Sequence, residues 1–169
     1  MSVRLVSLAP QPLRPAADVA ALLRERLGLE VTVLLDEAVV LVPPERVAEI
    51  ARTLRDDPAL AFDYLRCLSA VDYVDYMEVV YHLFSLRHRQ KAVLKTRLVE
   101  PHLEVDSVVA IWRGADWHER EAADLFGIVF RHHPHLKRLL LPDEFEGFPL
   151  RKSYPLAPLP TEEGEEEGE

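Results

Sequence analysis

The chain has 169 residues, 49% of them hydrophobic, enough for one domain with a moderate core and an appendage. Its formal charge is -9, but Glu162, Glu163, Glu165, Glu166, Glu167 and Glu169 supply six of those charges, so the body lacks the basic stripe with which nucleic-acid binders neutralise phosphates. The single cysteine, Cys67, excludes an intrachain disulfide and any zinc or iron–sulfur site ligated by this chain's thiolates alone.

Val19, Leu22, Leu23 and Leu27 recur at helical spacing, and Gly28 can end the segment, which predicts a helix over 16–27. Two β-branched runs around Asp36-Glu37 predict strands 30–35 and 38–42 joined as a hairpin. Pro44 is tolerated in a first helical turn, and Val47, Ile50, Ala51 and Leu54 then share one face, predicting a second helix over 44–55. Strands follow over 61–73, 77–88 and 91–100, with short polar links that favour antiparallel pairing. A short helical stretch from Asp106 or Ser107, a helix over 116–126, a brief strand "IVF" and a proline-rich arm complete the chain. Early helices and a central strand run together predict an α+β two-layer sandwich, helices packed on a mainly antiparallel or mixed sheet, with an extended C-terminal arm. The expected division is an α+β domain at 1–138, an arm at 139–160 and a disordered acidic tail at 161–169, because a Glu/Gly run has no apolar groups to offset the entropy of ordering. No run approaches eighteen apolar residues, and the N-terminus lacks the pattern of a signal peptide; a cytosol-facing protein is expected.

The helix over 116–126 carries most of the ionisable groups of interest. Asp116 followed by Glu119 makes a capping-box pattern, and Gly127 fits the left-handed position past the end. Helical periodicity puts Ala122, Leu125 and Phe126 on a core side and Trp117, Arg120, Glu121 and Asp124 on the other. That second side reads either as a solvated face or as a docking surface, since tryptophan and arginine are enriched at interface hot spots. His132, His133 and His135 raise a metal site and hence a free-standing metal hydrolase, but their spacing matches no strong zinc pattern and Pro134 favours divergent imidazoles. In the arm, five prolines from Pro142 to Pro160 interrupt regular structure while Phe145, Phe148, Leu150 and Tyr154 need cover. Either the arm lies over its own sheet or it clasps another subunit, with Arg151, Lys152 and Tyr154 as anchors.

The run "EREAADLFGIVFRHHPHLKRLL", residues 119–140, resembles the signature of the thirty-kilodalton-class subunit of respiratory complex I, the proton-pumping NADH:quinone oxidoreductase. Glu119, Arg120, Glu121, Asp124, Leu125 and Phe126 match its charged helix, and His133, Lys137, Leu139 and Leu140 match later positions. With "IWRGADW" before it and "LLLPDEFEGFPLRKSYP" after, the resemblance is strong over 107–155, looser over 43–99 and weak at both ends. The chain departs from the pattern at Ala122-Ala123, where the family often has larger side chains. Related subunits occur in membrane-bound hydrogenases.

The resemblance implies a non-catalytic subunit of the hydrophilic arm, peripheral on the cytoplasmic side of the cell membrane. It would bind no cofactor, with FMN, iron–sulfur clusters and quinone held by partner subunits. Its partners would be chiefly the large quinone-site subunit and the small terminal-cluster subunit. The expected partner-facing residues are Trp117, Glu119, Arg120, Glu121, Asp124, His133, Lys137, Arg138, Arg151, Lys152 and Tyr154.

Overall fold

The computed structural model describes residues 12–155; the expected tail and the end of the arm lie outside the described residues. Helix α1 spans Ala16–Leu27 and buries Val19, Ala20 and Leu23. Gly28 ends it in the left-handed conformation, its N–H bonded to Arg24 O, the closure a residue without Cβ adopts most easily. Strands β1 (Val31–Leu34) and β2 (Glu37–Leu41) form the expected hairpin. β1 is shorter than predicted and β2 begins one residue earlier, because Leu35 and Asp36 alone make the turn and both take positive φ, the geometry of a two-residue turn matched to the twist of its strands.

A single 3-10 turn at Pro44–Arg46 leads into α2, Val47–Asp56, whose buried face is Val47, Ile50, Ala51 and Leu54. The chain then folds back: the N–H groups of Leu60 and Ala61 bond to Asp57 O, and Phe62 N–H bonds to Leu54 O. This turn delays β3 to Tyr64–Asp72. Strands β4 (Met77–Ser85) and β5 (Gln90–Leu98) follow. The sheet order is β1-β2-β5-β4-β3, antiparallel throughout except for the parallel pair β2/β5. This is the expected helix-on-mixed-sheet architecture.

One contiguous core joins the helices to the inner sheet face, including Leu23, Leu54, Phe62, Tyr81 and Leu94. The opposite sheet face is polar in part: Glu78 pairs with Lys95 at 2.7 Å and with Arg97 at 3.4 Å.

The expected helical stretch near Asp106 is instead strand β6, Glu104–Asp106, followed by turns through 109–111. Its partner is β7, Val129–Arg131, in parallel register. The pairing closes across some two dozen residues, and such non-local hydrogen bonds leave no periodicity in a three-residue segment. Between them lies α3, Ala115–Phe126, packed on β3. The expected capping box does not form. The helix begins one residue earlier, Gly114 stands at the cap without a side-chain bond, and the Glu119 carboxylate accepts from Val108 N–H at 2.7 Å instead.

Candidate interaction site on the third helix and the arm

The inward stripe of α3 is Ala115, Glu119 and Ala122, with Asp124 also buried on the side facing the arm. Small alanines let the helix lie close to β3, which gives the departure at Ala122-Ala123 a packing role. Leu125 and Phe126, expected on the core side, are half-buried. Trp117 stands 67% exposed, and Glu121 is exposed beside it one turn on.

Asp124 corrects the expectation of a docking carboxylate. Its Oδ2 accepts the backbone N–H groups of Leu139, Leu140 and Leu141 at 3.0, 2.8 and 2.9 Å. Burial pushes this carboxyl's pKa up, but the three N–H donors outweigh it with help from Arg138, and the pKa lies below the ordinary aspartate value. Arg120 works on the same segment from the carbonyl side, donating from Nε to Lys137 O at 3.0 Å and from Nη2 to Arg138 O at 3.1 Å. The backbone of 137–141 is thus gripped through acceptors and donors by two residues one helical turn apart. Arg138 carries the grip onward, donating to Pro142 O at 2.7 Å and Phe145 O at 2.9 Å.

The rest of the described arm also lies on its own chain. Leu150 N–H bonds to Leu125 O at 3.2 Å. Arg151 donates to Phe126 O at 2.7 Å, pairs with Glu100 at 3.1 Å and stacks over Phe148. Its position at the carbonyl end of α3 is favourable for a cation. A Cβ on Gly127 would stand 2.6 Å from the Phe148 ring and 2.8 Å from Arg151 Nη2, so the glycine serves both the helix end and the arm's approach. Lys152 N–H bonds to Asp72 Oδ2 at 2.8 Å, its ammonium sits over Tyr73, and Tyr154 stacks on Phe145. The backbone N–H groups of Lys152 and Val74 hold the Asp72 carboxyl below its ordinary pKa. For residues 139–155 the reading as a loop over its own body therefore describes the contacts.

Glu119 and His133 are likewise corrected: both side chains are fully out of water. His133 Nδ1 accepts the His135 N–H at 3.0 Å, so the ring's proton resides on Nε2, which lies 3.3 Å from Asp116 Oδ1 and 3.9 Å from Glu119 Oε2. His132 turns away, its side chain 83% exposed and 3.7 Å from Asp106. The three histidines do not converge, and among the described residues no group of three His, Cys, Asp or Glu side chains is placed to hold a metal ion.

Of the expected partner-facing residues, Trp117, Glu121, Lys137, Arg138 and Lys152 are therefore exposed, Arg120, Arg151 and Tyr154 are half-buried in the arm's own contacts, and Glu119, Asp124 and His133 act inside the fold. Leu140 and Leu150 are also exposed, at 60% and 52%. The arm's receptors Asp72 and Glu100 were not anticipated. The Asp72 turn, in which Oδ1 accepts Val74 N–H, has a local sequence signal, but its bond to Lys152 spans the chain and has none. No described helix is long and apolar enough to cross a membrane.

A family model described as "Respiratory-chain NADH dehydrogenase, 30 Kd subunit" matches residues 40–159. An NADH-quinone oxidoreductase subunit of Roseiflexus sp. (strain RS-1) is 48% identical over 120 residues, 69% of each chain. Among solved structures, a trypsin-resistant fragment of Nqo5 superposes with a TM-score of 0.59 at 27% identity, covering 72% of this chain and 99% of that one. A chain of the archaeal membrane-bound sulfane sulfur reductase superposes with a TM-score of 0.71, covering 83% of this chain and 85% of its own, and at 23% identity shows likeness of fold.

Proposed function

The chain belongs to the family of the respiratory-chain NADH dehydrogenase 30 Kd subunit, and we propose that it serves NADH:quinone oxidoreductase as a docking platform rather than through chemistry of its own. It is a non-catalytic subunit of the hydrophilic arm, and its contribution is to hold partners in place while electrons pass from NADH to quinone. The observation that carries the docking reading is Trp117, two-thirds exposed on α3 beside an arm the chain has already fastened. A large aromatic left in water costs solvation unless a partner covers it. Leu140 and Leu150 of the arm are further exposed apolar groups, and Glu121, Lys137 and Lys152 are exposed charges.

On this reading the platform is built before docking, so binding does not also have to order residues 139–155, and the entropic cost of association is correspondingly lower. The partners are the large subunit that shapes the quinone cavity and the small subunit that holds the terminal cluster. FMN, the iron–sulfur clusters and quinone then belong to partner chains. The complex lies against the cytoplasmic side of the cell membrane, and this chain reaches the membrane only through its partners.

The test is Trp117→Glu in the organism's own complex. The expected result is a normally folded subunit that co-purifies with the membrane-bound enzyme in much reduced amount. Co-purification at the wild-type level would remove Trp117 from the interface.

A further inference from the structure

The buried seam behind α3 holds more unmatched polar atoms than a docking platform requires. Glu119 is fully buried, and only one carboxylate oxygen is served: Oε1 takes the Val108 N–H at 2.7 Å. Ser107 bonds the same carboxyl group. Oε2 has no hydrogen-bond partner, and neither do two other buried oxygens beside it, Tyr81 Oη from β4 and Asp116 Oδ1 from the first turn of α3. Both interact electrostatically with Glu119. The fourth wall is His133, whose Nε2 lies 3.9 Å from Glu119 Oε2.

An ionised Glu119 would place a negative charge with one unserved oxygen out of water, beside a second carboxylate. Burial disfavours the charged form, and the like charge of Asp116 adds to it. His133 does not serve this oxygen: its Nε2 stands 3.9 Å from Oε2, beyond hydrogen-bond reach, and its Nδ1 is engaged in accepting the His135 N–H. A proton on the carboxyl group removes the charge and gives it a donor of its own, near Asp116 Oδ1, a buried acceptor that lacks a partner.

We propose that Glu119 is a proton-binding site, held neutral in the folded chain, and that its ionisation loosens the seam joining α3 to the 107–108 turn and the 132–135 loop. This inference concerns the interior of the chain and stands apart from the docking reading. Burial as the largest cause, with the Asp116 charge adding to it against the bonds from Ser107 and Val108, places the pKa at about 7, up from 4.5. The folded state therefore binds a proton that the unfolded state has released between those two values. Stability is greatest at the acid end of this window and falls as pH rises through it, the unfolding equilibrium shifting by up to about tenfold per pH unit.

The experiment is denaturant unfolding of the full chain from about pH 5 to about pH 8, wild type against Glu119→Gln. Glutamine keeps an acceptor for Val108 and carries no charge. Taking the difference between the two proteins removes the contribution of the histidines away from Glu119. The expected result is that Glu119→Gln gains on the wild type by at least about tenfold in the folding equilibrium across that range. A constant difference at every pH overturns the proposal. Infrared spectra of the wild-type chain give a second reading should the variant not fold. A protonated-carboxyl band present near pH 6 and lost by about pH 9 supports the site, and absence of that band near pH 6 overturns it.

Discussion

Leu94 and Asp124 are both almost wholly out of water, but they hold their halves of the molecule in different ways. Leu94 sits in β5 at the centre of the mixed sheet, in a core drawn from α1, α2 and the inner sheet face. Asp124 contributes no apolar surface; it fixes three backbone N–H groups of a segment without regular secondary structure. The first half coheres through burial of area, which is non-directional and shared among many neighbours. The C-terminal segment coheres through a few directional bonds from side chain to backbone, given by Asp124, Arg120, Arg138 and Arg151. A segment held that way can adopt a definite surface shape without a core of its own, which suits a surface meant for a partner.

Breaking each region in turn separates these modes. Leu94→Ala opens a cavity in the sheet core and is expected to cost about 3 to 4 kcal/mol, seen as a lower midpoint for the whole chain in denaturant. An unchanged midpoint would mean that the core closes around the gap. Asp124→Ala strands three amides and is expected to cost about 2 to 3 kcal/mol, with a different signature. Hydrogen exchange should accelerate at Leu139, Leu140 and Leu141 while the sheet amides keep their protection relative to global unfolding. Arg120→Ala removes two partly exposed bonds to carbonyls, for which about 1 kcal/mol is expected, again read as faster exchange in the arm. If Arg120→Ala and Asp124→Ala add without coupling, the two residues do not act as one grip.

Acid probes the same contrast with the smallest effect on global stability. Asp124 and Asp72 both have folded pKa values below the unfolded value of 3.8. Their contribution is present above that value and is lost as pH falls below it towards the folded pKa, because the unfolded chain then binds more protons. The arm should therefore release in acid before the sheet opens, measurable as protease cleavage between 139 and 155 ahead of any loss of strand signal. Simultaneous loss of both would contradict the two-mode account.

This contrast also explains what could be read from the residues. The apolar periodicities of α1, α2 and β3 to β5 place these elements within a few residues because the force that holds them acts on the pattern itself. The pairing of β6 with β7 was missed since three residues cannot carry a period and their partner lies far along the chain. In the site the helix and the chemical character of its residues were legible, and the direction of their bonds was not. Asp116 and Glu119 match a capping box, but the buried Val108 amide competed for Glu119 and took it. Asp124 and Arg120 share the outward face in the helical pattern, but each found backbone partners in the arm. A charged residue one turn from another carries the same sequence signal whether it faces water, a partner or its own chain.

The central claim is that this chain supports its enzyme by holding partners rather than by reacting. The most direct measurement is quinone reduction by the membrane complex carrying Trp117→Glu, normalised to the amount of complex assembled. The account predicts that less complex is recovered and that each assembled complex turns over at the wild-type rate. Full assembly with turnover lost would contradict it, since the chain would then act in the reaction after docking is complete.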